Sequence, residues 1–222
     1  MALAYDYKDV HPLPTLQRKG EPVTALFRMG VTMAFAKDEE IYGQDEDADL
    51  IYRVLDGAVR TTRVMADGRR QIGDFYLTGD IFGLETGPAH RFAAEAVRDS
   101  VILVIKASVL RTSGEDMQRL GWEATRRELE RAQEHVLLLG RKTACERVAS
   151  FLKGLSDKSG GAPVVDLPMG RQDMADYLGL TIETVSRMLS QLQSGRIVSF
   201  CATRQFRVVN PESLARLADQ AQ

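Results

Sequence analysis

Within the run LTIETVSRML, residues 180 to 189, three side chains have the types and spacing of a base-reading set. Glu183 is an acceptor, Ser186 a small hydroxyl and Arg187 a forked double donor. At helical spacing they share a face with Ile182 and lie opposite Val185, Met188 and Leu189. A guanidinium fork fits the O6 and N7 of guanine, a carboxylate accepts from cytosine N4, and a serine is small enough to approach a thymine methyl. A helix face that is merely solvated more often carries Lys and Glu pairs one turn apart.

Such a face must be held out rigidly, and residues 171 to 190, RQDMADYLGLTIETVSRMLS, are patterned to do so. Apolar residues fall at Met174, Ala175 and Leu178, then at Val185, Met188 and Leu189, the helical period twice with a break. Gly179 stands at the break, where a helix C-cap needs positive φ. Thr181 offers an N-cap oxygen to the second helix, and Glu183 puts negative charge in its first turn. Ala175 leaves room for two helices to cross closely. The pattern predicts a helix-turn-helix whose second helix enters the major groove; the competing reading is an ordinary helix pair in another α domain. Around it, VVDLP reads as a short strand, and RIVSF and QFRVV around CATR read as a hairpin, the winged form. Thr203 and Arg204 at the wing tip are expected to meet phosphate, and Arg171, Thr181, Ile182 and Thr184 complete the expected DNA contacts. Cys201, in the wing beside this arginine, is a possible redox site whose oxidation would oppose phosphate; the plainer expectation is a small hydrophobe packed under the wing.

The rest of the composition narrows the classes. The 222 residues, 44% hydrophobic and 27% charged, suit a soluble globular chain with room for two modest domains or one large one. No apolar run approaches about 18 residues, and MALAYDYKDVHPLP lacks a basic start and an apolar core, so neither membrane span nor signal peptide is expected and the expected location is the cytoplasm. Two cysteines, Cys145 and Cys201, cannot make a four-cysteine cluster, and His11, His90 and His135 are scattered, so no metal and no cofactor are expected. A metal enzyme of cupin type would need clustered histidines, and only His90 falls in the β-rich part. Between residues 140 and 210 there are ten Lys and Arg against six Asp and Glu, whereas residues 1 to 139 hold eighteen against twenty-three. A positive half beside a negative one suits a duplex, where phosphate neutralisation releases counterions.

Upstream of this half, Leu26 to about Ile105 contains short β-rich segments: VTMAFA, DLIYRVLDGAVRTTRV, MADGRRQIGDFYL and AAEAVRDSVILVI. Asp56-Gly57 and Asp67-Gly68 are hairpin signals, and the spacing predicts a small β-barrel or jelly roll. Its glycine-rich loop TGDIFGLETG, residues 78 to 87, either cradles a phosphate or turns a corner, the commoner outcome. A helix follows from about Gly114 to Leu139. Trp122, Thr125, Leu129, Ala132, Val136 and Leu139 recur at alternating threes and fours, the seam of a coiled coil, and predict a twofold dimer. The other possibility is that this stripe packs back on its own barrel, as Leu137 and Leu138 beside it are placed to do. Gly140 is the expected hinge, before an amphipathic helix carrying Ala144, Val148, Phe151, Leu152 and Leu155. The expected layout is a lead-in over 1–20, a β-roll over 21–113, a dimerisation helix over 114–140 and a winged helix-turn-helix over 141–222, an α+β chain.

The order of these parts, with LLLGRKTACERVASFL, MADYLGLTIETVSRMLSQL and the barrel segments YRVLDGAVR and ADGRRQIGDFYLTGDIFGLE, resembles the CRP/FNR family of bacterial transcription regulators, in its FixK-like branch. The resemblance spans nearly the whole chain. It implies that Glu183, Ser186 and Arg187 take the E-x-x-S-R places that read a TTGA-type half-site, that the partners are double-stranded DNA, RNA polymerase and a second copy, and that the chain activates transcription rather than catalysing a reaction. The cyclic-nucleotide members carry a glutamate directly after the loop glycine and an Arg-Ser pair soon after. Here the loop reads Phe82-Gly83-Leu84-Glu85, with His90 and Arg91 later, so neither feature is in register. The oxygen-sensing members need an N-terminal cysteine cluster, and no cysteine precedes Cys145. The resemblance therefore implies control through synthesis and upstream sensors of low oxygen, in a low-oxygen or nitrogen-fixation circuit, without a bound effector. The alternative is a regulator responsive to a small molecule, a cyclic nucleotide or a haem held by His90 or His11.

Overall fold

The structure, a computed structural model, describes residues 30–109 and 114–219. The lead-in over 1–20, with His11, lies outside these residues, as do 21–29 and 110–113 of the expected β-roll. Eight strands form the first half: β1 Gly30–Phe35, β2 Glu40–Tyr42, β3 Leu50–Asp56, β4 Ala58–Val64, β5 Arg70–Leu77, β6 Ile81–Phe82, β7 Ala93–Ala96 and β8 Ser100–Lys106. They make two four-stranded antiparallel sheets, ordered β1-β8-β3-β6 and β2-β7-β4-β5, closed face to face as a β-roll.

Of the two hairpin signals, only one makes a hairpin. Asp67-Gly68 joins the paired strands β4 and β5, with the Met65 amide donating to the Arg69 carbonyl at 2.8 Å. Asp56-Gly57 instead carries the chain from one sheet to the other, since β3 pairs with β8 and β6 while β4 pairs with β5 and β7. The turn needs glycine for a corner reason: Gly57 has φ of 101°, and a Cβ there would collide with Ser100, whose hydroxyl is bonded to the Ala58 amide and carbonyl.

Helix α1, Glu115–Arg141, is 27 residues long, about 40 Å at 1.5 Å per residue. It buries only Met117 near its start and Leu138 near its end. The hinge lies two residues beyond the expected glycine. The helix continues through Gly140, and the break comes at the extended Lys142, whose ammonium is drawn off to Ser150 and the Ala218 carbonyl. Helix α2, Ala144–Lys158, then starts on a capping box, with the Thr143 amide donating to the Glu146 carboxylate at 2.8 Å.

The second half completes with β9 Val165–Asp166, α3 Arg171–Leu178, α4 Ile182–Ser194, β10 Val198–Ala202, β11 Gln205–Val208 and α5 Pro211–Asp219, the strands ordered β10-β11-β9. This is an α+β chain with a winged helix-turn-helix. Its core, centred on Val148, Leu152, Met174, Leu178, Val185, Leu192 and Phe206, runs without interruption into Ile72 and Phe75 of the barrel. Among the described residues, no helix is long and apolar enough to cross a membrane.

Candidate nucleic-acid interface

Helices α3 and α4 are fixed by local chemistry. Gly179 caps α3 with left-handed φ and ψ of 61° and 41°, and Ala175, 1% exposed, sits at the inner contact. Thr181 caps α4, its hydroxyl oxygen accepting from the Thr184 amide at 3.2 Å. Arg147 of α2 braces the turn: its guanidinium donates to the carbonyls of Leu139, Lys142 and Leu178 at 2.7 to 2.9 Å, satisfying acceptors left over at the ends of α1 and α3. Sequence reading passed this arginine over.

Helix α4 buries Val185, Met188, Leu189 and Leu192. On its other side Ile182, Glu183 and Arg187 are exposed, and Thr184 and Ser186 are half-buried beside them. Among the described residues Arg187 has no ion pair or hydrogen bond, so its fork is open. Glu183 is held ionised, its pKa lowered by its own backbone amide and then by the Thr181 hydroxyl. Arg171, at the head of α3, reaches Ser186 Oγ at 3.3 Å and so ties the two helices at this face. Thr181 serves as cap first, leaving its exposed side chain at the rim.

The wing meets expectation only in part. Thr203 is exposed, but the Arg204 guanidinium turns back and donates to the Pro168 carbonyl. The wing arginine that points away without a partner among the described residues is Arg207, exposed because it alternates with the buried Phe206. That period-two signal was available in QFRV. Cys201 is exposed and not packed beneath the wing, because Phe200 takes the inward place.

The charge asymmetry becomes clearer in three dimensions. Asp173 of α3 is buried between two barrel arginines, Arg60 Nη1 at 3.1 Å and Arg70 Nη2 at 2.6 Å. Asp176 takes Arg70 Nε at 2.8 Å, and Asp166 takes Arg98 at 2.6 Å. Three of the second half's acids are thus turned to the barrel, away from the open face of α4. No sequence signal gave these pairs, whose members lie 68 to 113 residues apart.

The match to known domains follows this layout: a Crp-like helix-turn-helix domain over residues 146–217 and a cyclic nucleotide-binding domain over 32–113. The nitrogen fixation regulation protein FixK of Azorhizobium caulinodans is 42% identical, over 93% of this chain and 91% of its own. FixK of Rhizobium meliloti is 39% identical over 81% and 83%. The solved structure of FixK2 from Bradyrhizobium japonicum superposes with a TM-score of 0.83 at 47% identity, covering 87% of this chain and all of that one. The chain belongs to the CRP/FNR family, in its FixK-like branch. It is a transcription regulator with a DNA-binding helix-turn-helix, not an enzyme.

In this regulator the barrel half looks unlike an open nucleotide site. The interior is packed with rings: His90, 1% exposed, stacks on Tyr42 at 3.7 Å, with Tyr52, Tyr76 and Phe82 in a chain of contacts at 5.0 to 5.2 Å. Burial lowers the pKa of His90 and keeps its ring neutral. At the loop, Glu85 accepts from both the backbone and the side chain of Arg91, at 3.1 and 2.9 Å. These two charged groups of the loop thus neutralise each other. The loop turns a corner, the Asp80 carboxylate accepting from the Leu77 amide and from Arg131 of α1.

Along α1 the expected seam divides. Trp122, Leu129 and Val136 are 70%, 59% and 70% exposed, and Thr125 and Ala132 are exposed with them. Leu139 is half-buried, packed against its own helix-turn-helix near Gly179. Leu138 packs inward as the alternative allowed, whereas Leu137 stays 59% exposed.

Proposed function

We propose that this regulator binds DNA as a homodimer through the exposed stripe of α1 and reads a TTGA-type palindrome with Glu183, Ser186 and Arg187 of each α4. Arg171, Thr181, Ile182, Thr184 and Thr203 line the approach with the wing's exposed Arg207, positioning by backbone and phosphate contacts, while Arg204 holds the wing to the loop before α3. The observation that carries the reading is the guanidinium of Arg187, without a partner among the described residues, on an exposed face beside the carboxylate of Glu183. The stripe on α1 supports the dimer: apolar side chains as exposed as Trp122 and Val136 need a partner surface, and two copies place two recognition helices at half-sites about 34 Å apart.

The ring-filled interior and the Glu85–Arg91 pair support DNA binding that needs no ligand in the barrel. Control then lies in how much protein is made, in a low-oxygen or nitrogen-fixation circuit such as the relatives' names describe, with the chain in the cytoplasm as an activator touching RNA polymerase. The test is fluorescence anisotropy of the purified protein, without additives, on a palindromic TTGA duplex and on a scrambled one. We expect at least about a thousandfold preference for the palindrome; equal affinities would refute the assignment.

A further inference from the structure

Two sets of contacts set where the reading helix stands relative to α1. In the first, only Lys142 and Thr143 separate α1 from α2, Arg147 bonds the Leu139 and Lys142 carbonyls, and the His135 ring bonds the Tyr177 carbonyl at 2.8 Å. The second set reaches from the barrel. Arg60 of β4 and Arg70 of β5 hold Asp173 at 3.1 and 2.6 Å, and Arg70 also holds Asp176 at 2.7 Å. Arg98, between β7 and β8, holds Asp166 of β9 at 2.6 Å. Three barrel segments thus grip two elements of the winged half, α3 and β9.

The barrel also meets the winged half through Phe75, whose ring lies 5.9 Å from that of Phe151 and 5.4 Å from that of Tyr177. Apolar contact is non-directional and survives a small slide. A guanidinium shared between two carboxylates does not. Arg70 donates through Nε and Nη2 to Asp176 and through Nη2 to Asp173, and a slide of about 1 Å takes these bonds beyond hydrogen-bond range. The apolar patch attaches the two halves, and the ion pairs fix their register.

Register matters on DNA, because two α4 helices must fall on half-sites about 34 Å apart. One extra base pair moves a half-site by about 3.4 Å and turns it by about a tenth of a turn. A dimer whose DNA-binding halves are fixed cannot follow that change; one whose halves pivot at residues 142 and 143 can.

We propose that Arg70, with Arg60 and Arg98, is a positioning residue that sets the half-site spacing this regulator accepts. The inference rests on the dimeric reading above, and it requires no contact between these arginines and DNA. It is tested by anisotropy of the full-length protein on the TTGA palindrome and on the same duplex with one base pair inserted between the half-sites. The readout is the ratio of the two affinities, in which any uniform change in attraction to phosphate cancels, as does a partly unfolded fraction.

The wild type is expected to prefer the original spacing by about 100-fold or more, the avidity lost when both half-sites cannot be engaged together. Arg70→Glu sets a carboxylate against Asp173 and Asp176, and should lower the ratio to about tenfold or less. Adding Asp176→Arg, in the open groove that both residues line, should restore it. Arg98→Glu repeats the test at a pair whose side chains are 43% and 48% exposed, where the fold is not at risk, and should lower the ratio about threefold. A wild-type ratio near one, in a protein that still prefers the palindrome to a scrambled duplex, overturns this proposal alone. Loss of that preference overturns the dimeric reading and this proposal with it. An undiminished ratio in Arg98→Glu and in folded Arg70→Glu, or no recovery in the Arg70→Glu, Asp176→Arg double variant, would also overturn it.

Discussion

Arg91 in the barrel loop and Arg187 on α4 are both exposed arginines, one near the loop and one in the helix that the family resemblance singles out, and the structure treats them oppositely. Arg91 is spent on Glu85, with a backbone bond as well, beside an interior already filled by Tyr42, Tyr52, Phe82 and His90. Arg187 is left with no partner among the described residues, while Asp173 and Asp176 of the preceding helix are drawn off by Arg60 and Arg70 of the barrel. The barrel thus serves the DNA-binding half by taking its negative charge and holding its first helix. Whether an arginine is free or already neutralised by its own chain separates a reading face from a corner better than its position in a motif.

The largest test of this contrast is assembly. Val136→Glu puts a charge into the exposed stripe of α1, and loss of the second recognition helix should lower palindrome affinity by about 10²- to 10⁴-fold. Sedimentation and anisotropy read the two together; unchanged affinity in a monomeric variant breaks the link. Next is the barrel contact. Asp173→Ala removes the nearly buried carboxylate shared by Arg60 and Arg70, which keep Glu95 and Asp176 as partners, and should cost about 1.5 to 3 kcal/mol of stability by chemical denaturation. A loss under about 0.5 kcal/mol, typical of a surface site, contradicts the role given to that pair. Arg187→Ala should cost about 1 to 3 kcal/mol in binding and flatten discrimination at the guanine, measured on single-base variants of the duplex. Least of all, Arg91→Ala should change palindrome affinity by less than about 0.5 kcal/mol and stability by less than about 1 kcal/mol, since the Arg91 side chain is 68% exposed and the backbone bond to Glu85 remains. An effect of Arg91→Ala equal to that of Arg187→Ala erases the distinction.

The helix-turn-helix was legible because everything that builds it is local. Gly179, Thr181 and the two apolar periods act within a few residues of where they stand. The barrel strands were legible as strands, but their partners were not: Asp56-Gly57 and Asp67-Gly68 are the same dipeptide, and only the second joins strands that pair. The hinge was misplaced because a helix passes a single glycine at a cost of about 1 kcal/mol, whereas the true restart signal was Thr143 with Glu146 three residues on. Arg204 was misread because the wing folds back onto the loop before α3, and a carbonyl there is invisible in sequence. The pairs of Arg60 and Arg70 with Asp173 and Asp176 join residues 103 to 113 positions apart.

The central claim, that a dimer reads a palindrome through the open face of α4 with no ligand in the barrel, is tested most directly by selection from random duplex DNA using the purified protein alone. The account predicts enrichment of a twofold-symmetric site whose half-sites contain TTGA, with the guanine preference lost in Arg187→Ala. Recovery of no consensus, of an asymmetric single half-site, or of the same guanine preference in that variant would contradict it.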